Sequence, residues 1–402
     1  MDANNNKPKS SNLFNGDCKR TRISHVTIMD LPTVIMVEIL SRLPIKPIFK
    51  CKTVCKLWYH LLTSEVLSFK TNFPCMLLSD EYYSTTWLLE LKADYDYYSL
   101  PDNRPIRLSS KFHLPRLKAP IHIIDSCNGF ICLLTGSANN KNHSIYINNP
   151  LLGEYFKLKL PEWKKGTCRT DYKFCFSEAS GKYKVLRLVF SIASMPKVSE
   201  LEVYTLGVDE KWRNLGQVNL GLKPVWESFG NINVNGAIHW LGNSPGTTSI
   251  HSFNVGTEEV KSLPVPRDVG TDPLHWMLTE LGNCLYLADT GYNGYVDIWW
   301  MKEYGIAQSW TKDRILTDSI PFNIHYSNLR PIIIWKDGEI LMQRCCGTEL
   351  ASYNPKEKKF RKVNVYGSGN AATRYIPSFY SLKTVMGKTF QVSNLYPKTK
   401  IV

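Results

Sequence analysis

Apolar and polar positions follow two different rhythms along this chain, and the change falls near residue 70. Before it, apolar residues recur three and four apart, the spacing that aligns one face of a helix. In LPTVIMVEILSRLP, residues 31–44, Ile35 and Ile39 share a face. Asp30 is placed as the cap, Pro32 in the first turn and Pro44 as the stop. A second helical pattern runs through PIFKCKTVCKLWYHLLTSEVLSF from Pro47, where Ile48, Cys51, Cys55, Trp58 and Leu62 mark one face and Val54, Leu57 and Leu61 widen it. A unit of about 40 residues sits at the size where its own core stops sufficing, so apolar surface this broad predicts a cover from outside.

After residue 70 the rhythm becomes that of strands: short runs rich in Val, Ile, Tyr, Phe and Trp, separated about every 8–12 residues by Gly, Asn, Asp or Pro. A weak repeat lies within them. One half, a small turn followed by an apolar strand, occurs as NGFICLLT from Asn128, NGAIHWLG from Asn235, GNCLYLAD from Gly282 and DGEILMQR from Asp337, with GKYKVLRLVF from Gly181 as a variant. The other half, two strands about a polar turn, occurs from Ile145, Leu201, Ile250, Val296 and Leu350. A period of roughly 46–58 residues with four strands each predicts propeller blades. Five blades are counted this way, and a sixth is built from residues 75–101 with a closing strand from SFYSLKTV, residues 378–385. The expected fold is a small all-α module followed by a large all-β domain, a kelch-like β-propeller of about six blades, with a β-sandwich as the alternative.

Order and spacing add a resemblance. Leu31-Pro32, Ile39-Leu40, Arg42-Leu43-Pro44 and Val54-Cys55-Lys56-Leu57-Trp58 together resemble an F-box, the adaptor-docking module of ubiquitin ligases. The resemblance implies a three-helix unit that binds a Skp-type adaptor and, through it, a cullin and a RING subunit. On it, Leu31, Pro32, Ile35, Ile39, Leu40, Leu43 and Pro44 are the docking positions, and Val54, Cys55 and Trp58 either contact the adaptor or pack the module. The later region is similar to the plant F-box-associated interaction domain. It carries Asp125-Ser126-Cys127-Asn128-Gly129, Asn149-Pro150 before Leu160-Pro161, Val203-Tyr204 before Trp212-Arg213, and Asn235 to Leu241, in that order. This likeness implies a non-catalytic domain that recruits a target protein. The regular glycine pair of true kelch repeats is absent.

The expected organisation is a disordered leader at 1–26, the F-box at 27–70, the all-β domain at 71–390 and a tail at 391–402. At 402 residues and 43% apolar, the chain can fill such a core. Its net charge of +14 raises nucleic-acid binding as a rival function, but the basic residues do not interleave with aromatics on one face. Eleven cysteines without a CxxC pair argue for reduced thiols over disulfides or zinc. No metal or cofactor is expected. The absence of a secretory signal or membrane run gives an intracellular, soluble protein of nucleus or cytoplasm, in which the sequon at Asn142 is a chance match. Gly242 to Gly246 fits GxSxG but reads as a hairpin turn, and Gly367 to Ala372 fits GxGxxA but reads as a loop. Target contacts are expected on connections 162–171, 221–230 and 268–277, with Trp163, Trp226 and Trp276 as candidate anchors or buried corner residues.

Overall fold

The computed structural model describes residues 28–63, 75–80, 85–91, 106–107, 121–139, 141–164, 166–191, 198–219, 232–244, 247–291, 294–317, 320, 329–344, 349–363 and 371–395. The expected leader lies outside them. Three helices come first: α1 (Thr33–Ser41), α2 (Ile45–Cys51) and α3 (Lys56–Thr63). Pro32 and Pro44 are the residues that begin α1 and α2, with φ of −54° and −60° that the ring itself sets. The long helical pattern from Pro47 is therefore two helices. The break falls at Lys52 to Cys55, where the Cys55 Sγ accepts the Trp58 N–H at 3.4 Å and starts α3.

The rest is β. The first described strands are β1 (Cys75–Asp80), β2 (Thr85–Glu90) and β3 (Ile106–Arg107). The next blade holds β4 (Ile121–Cys127), β5 (Phe130–Thr135), β6 (Ser144–Asn149) and β7 (Glu154–Lys157). It is followed by β8 (Thr167–Ser177), β9 (Lys182–Ser191), β10 (Val198–Thr205) and β11 (Arg213–Asn219). The fourth blade is β12 (Asn233–Val234), β13 (Ala237–Ser244), β14 (Thr247–Asn254) and β15 (Val260–Leu263). The fifth is β16 (Trp276–Leu281), β17 (Cys284–Asp289), β18 (Tyr295–Met301) and β19 (Trp310–Leu316). The sixth is β20 (Leu329–Trp335), β21 (Glu339–Arg344), β22 (Leu350–Asn354) and β23 (Lys359–Val363). Last come β24 (Ala371–Tyr375), helix α4 (Leu382–Met386) and β25 (Ser393–Asn394).

Each of six sheets is an antiparallel meander, and β24 pairs with β1, so the end of the chain supplies the inner strand of the first blade and closes the ring. The fold is a six-bladed propeller, not a sandwich. The closing strand is Ala371–Tyr375, a correction to the expected 378–385, which instead holds α4, capped by the Ser381 hydroxyl accepting the Lys383 N–H. Of the expected tail, residues 391–395 are described, and Ser393 and Asn394 form β25, which extends the second blade along β7.

The repeat has a physical cause in both halves. Asn128-Gly129, Asn235-Gly236 and Gly282-Asn283 all have positive φ at both residues, the two-residue hairpin turn that Asn and Gly tolerate best. At the outer turns, Asn149, Asn254 and Asn354 each accept two backbone N–H groups, two and three residues on, with their side-chain oxygen. The GxSxG stretch does join a hairpin, since Ser244 pairs with Thr247, and the GxGxxA stretch runs into β24 rather than a helix.

Inner strands β4, β8, β12, β16, β20 and β24 all run toward one end of the ring, the hairpin end. The C-terminal segment lies across it. Asn149 donates to the Ser378 and Tyr380 carbonyls, and Glu154 accepts from the Ser381 hydroxyl and the Leu382 N–H. Approach here is close: a Cβ on Gly129 (φ 90°) would stand 2.1 Å from the Ser378 Cβ.

Candidate functional site

The helical module sits on the same hairpin end. Leu40, Ile45, Ile48, Cys51 and Leu62 share one buried cluster with Leu77, Leu88, Leu133, Leu151 and Phe379 of the ring. The Ile45 N–H donates to Glu90 Oε1 at 2.7 Å. Lys52 reaches over the Phe379 ring, with 4.9 Å from Nζ to the centroid, and burial pushes its ammonium down despite Glu154 nearby. This is the outside cover that the broad apolar surface required, and the ring supplies it on one side.

On the other side the apolar residues stay uncovered. Among the described residues, fourteen large hydrophobics are exposed, and eight of them fall between Ile28 and Tyr59. Val34 is 74% exposed, Val54 61%, Ile35 46%, and Ile39 and Leu57 each 38%. Val34, Ile35 and Ile39 stand on α1, Leu57 in the first turn of α3 and Val54 in the turn just before it, and α1 touches α3. So much free apolar surface in one small unit marks an interaction site. Lys46, Lys50 and Lys56 of the same module are also exposed, while Arg42 is paired with Glu38 at 2.8 Å.

The expected docking positions divide accordingly. Pro32, Ile35, Ile39 and Val54 are exposed, and Leu31, Leu43, Pro44, Cys55 and Trp58 are half-buried. Leu40 is 1% exposed and belongs to the core shared with the ring, a correction to its assignment as a contact. Pattern could not separate Ile39 from Leu40, because which side meets the ring is decided by tertiary packing. Val34 and Leu57 were missed as surface residues, although each flanks an expected position.

The Trp candidates fare differently. Trp163 lies between β7 and β8 at the end of the ring opposite the helices, half-buried and edge-on to His143 at 5.9 Å. Trp276 is not on a loop; it begins β16, is 5% exposed, and donates its indole N–H to the Gly270 carbonyl at 3.1 Å. Trp226 lies outside the described residues.

A second feature is the channel along the propeller axis, a cavity of about 1010 Å³ walled by the six inner strands. Its charged residues escaped notice in the sequence, though Arg169, Asp171 and Lys173 alternate along β8, the period that puts them on one face. Arg169 Nε meets Asp171 Oδ1 at 2.7 Å, and Lys173 Nζ stands 3.8 Å from Asp125 Oδ2. Burial pushes the Asp125 carboxyl up and the Lys173 ammonium down, each against the pull of the other.

Comparison with known proteins agrees with both parts. The family model described as the F-box domain matches residues 28–70, and the F-box associated beta propeller domain matches residues 91–390. The chain is 28% identical over 391 residues to F-box protein At3g07870 of Arabidopsis thaliana, covering 85% of this chain and 88% of the relative. It is 23% identical to F-box protein CPR1 of the same plant, covering 89% and 87%, and 26% identical to F-box/kelch-repeat protein At3g23880, covering 82% and 89%. No helix among the described residues is long and apolar enough to cross a membrane. With an uncovered helical module seated on a six-bladed ring and both domains matched in order, the chain belongs to the plant F-box proteins that carry an F-box associated β-propeller domain.

Proposed function

We propose that this protein is the substrate-recognition subunit of a Skp–cullin–F-box ubiquitin ligase. The observation that carries the reading is the exposed apolar set on α1 and around the start of α3, on a module whose other side is already buried against the ring. A Skp-type adaptor, the partner that an F-box domain implies, would cover this apolar surface. Through the adaptor come the cullin and the RING subunit, on which the transfer chemistry occurs.

The ring then holds the target. Helices and C-terminal segment occupy the hairpin end, which leaves the opposite end, with Trp163, as the face for recruitment. Because the F-box and ring share one core, a target bound there is held at a set distance and angle from the ligase. Tethering raises the local concentration of target lysines near the ubiquitin carrier, so the receptor itself needs no nucleophile. Degradation of the target by the proteasome is the expected outcome.

The test is reconstitution. Adaptor, cullin and RING subunit should co-purify with the full chain and be lost when Ile35 and Val54 are both changed to Asp. A folded double variant that still assembles the ligase would refute the reading.

A further inference from the structure

The axial channel carries chemistry that adaptor docking does not use. Half of its charges pair off, Arg169 with Asp171 at 2.7 Å and Arg374 with Glu280 at 3.4 Å, while Glu178 lies out on the β8–β9 turn at the hairpin end. Two cations are less well matched. The Lys173 side chain is 4% exposed, its nearest anion is Asp125 Oδ2 at 3.8 Å, beyond hydrogen-bond length, and it makes no hydrogen bond to a described residue. Arg330 donates from Nη2 to the Ala372 carbonyl at 2.8 Å and has no carboxylate within ion-pair distance among the described residues. They stand on the third and sixth blades, which face each other across the axis, and both act electrostatically on Asp125.

The Lys173 side chain is buried in the channel wall and Arg330 is exposed to the channel, and no described carboxylate stands within hydrogen-bond length of either. Here the donors line a cavity of about 1010 Å³, near the upper end of the size range of small-molecule sites. Ile124, Ile232, Met277 and Ile332 give the same wall apolar stretches. Lys173 and Arg330 set against Asp125 leave one net positive charge, which suits a monoanion better than a phosphate dianion that Asp125 would repel.

We propose that the channel binds a small organic carboxylic acid as its anion, with the carboxylate held between Lys173 and Arg330 and the apolar body against the isoleucine and methionine wall. The full chain, co-purified with its adaptor, is tested by thermal shift against aliphatic and aromatic monocarboxylates, each beside its own primary amide. At least one acid should raise the melting temperature where its amide does not. Arg330→Gln should weaken that acid by about tenfold or more, the loss expected for one charge-assisted bond. Lys173→Met combined with Asp125→Asn, which leaves no lone buried charge, should abolish the shift, with the unliganded melting temperature of each variant as the folding control. Equal shifts by acid and amide, a shift that survives in both variants, or binding of an acidic peptide without any free acid would overturn the proposal.

Discussion

Phe49 of α2 meets Phe379 of the C-terminal segment edge to face, with ring centroids 4.8 Å apart. Phe379 is 2% exposed and also lies beneath the Lys52 ammonium, so one side chain ties the helical module, the ring and the end of the chain together. Phe379→Ala should cost about 3 kcal/mol or more, the usual range for emptying a buried aromatic site. The loss should be local. Hydrogen exchange should show α1 to α3 losing protection well before β9, β10 and β13; uniform loss across the chain would show that the module does not depend on this contact.

Gly129 offers a sharper test of the strap across the hairpin end. Gly129→Ala meets both a φ of 90° and the Ser378 Cβ at 2.1 Å, whereas Gly181→Ala, at φ 62°, meets nothing within 4 Å. Backbone strain alone costs about 1 kcal/mol, so Gly181→Ala should lose about that much and Gly129→Ala clearly more. Equal melting temperatures would mean that the C-terminal segment does not press on this turn.

His239 should set part of the acid sensitivity. It is fully buried, with Nε2 2.7 Å from the Tyr304 hydroxyl, and burial pushes its pKa down to about 4. Because the folded value lies below the unfolded one, near 6.5, the unfolded chain takes up the proton first. Stability is whole above about pH 6.5 and falls as pH drops toward 4, by up to about 3 kcal/mol. Denaturant titrations across this window should be flatter for His239→Gln than for the parent chain. Parallel curves would refute the assignment.

Ring closure by β24 predicts that a chain stopped at residue 370 loses the inner strand of its first blade and unfolds. A chain stopped at residue 395 keeps β24, α4 and β25 and should melt with the parent. A cooperative native transition in the shorter truncation would contradict the closure.

The parts legible in the sequence were those written in local chemistry. Asn-Gly and Asp-Gly turns announced the inner hairpins because few other pairs accept positive φ, and Leu31-Pro32 with Arg42-Leu43-Pro44 announced the F-box. What stayed hidden depended on contacts distant in sequence. Ala371 to Tyr375 has little strand pattern of its own and becomes the closing strand only because β1 offers it an edge. Leu40 and Ile39 look alike until the ring covers one of them, and Trp276 looks like a loop anchor until Gly270 folds back to accept its indole N–H. Lys173 and Arg330 are far apart along the chain, and only the closed ring puts them around one channel.

The most direct measurement is the affinity of a purified Skp-type adaptor for the full chain and for Ile35→Asp. Ile35 is 46% exposed and absent from the buried core shared with the ring, so the variant should keep the parent's melting temperature. Charging one anchor of an apolar interface should cost about 2 kcal/mol or more, roughly a thirtyfold weaker Kd. An unchanged Kd in a folded Ile35→Asp protein would contradict the docking of an adaptor on this face.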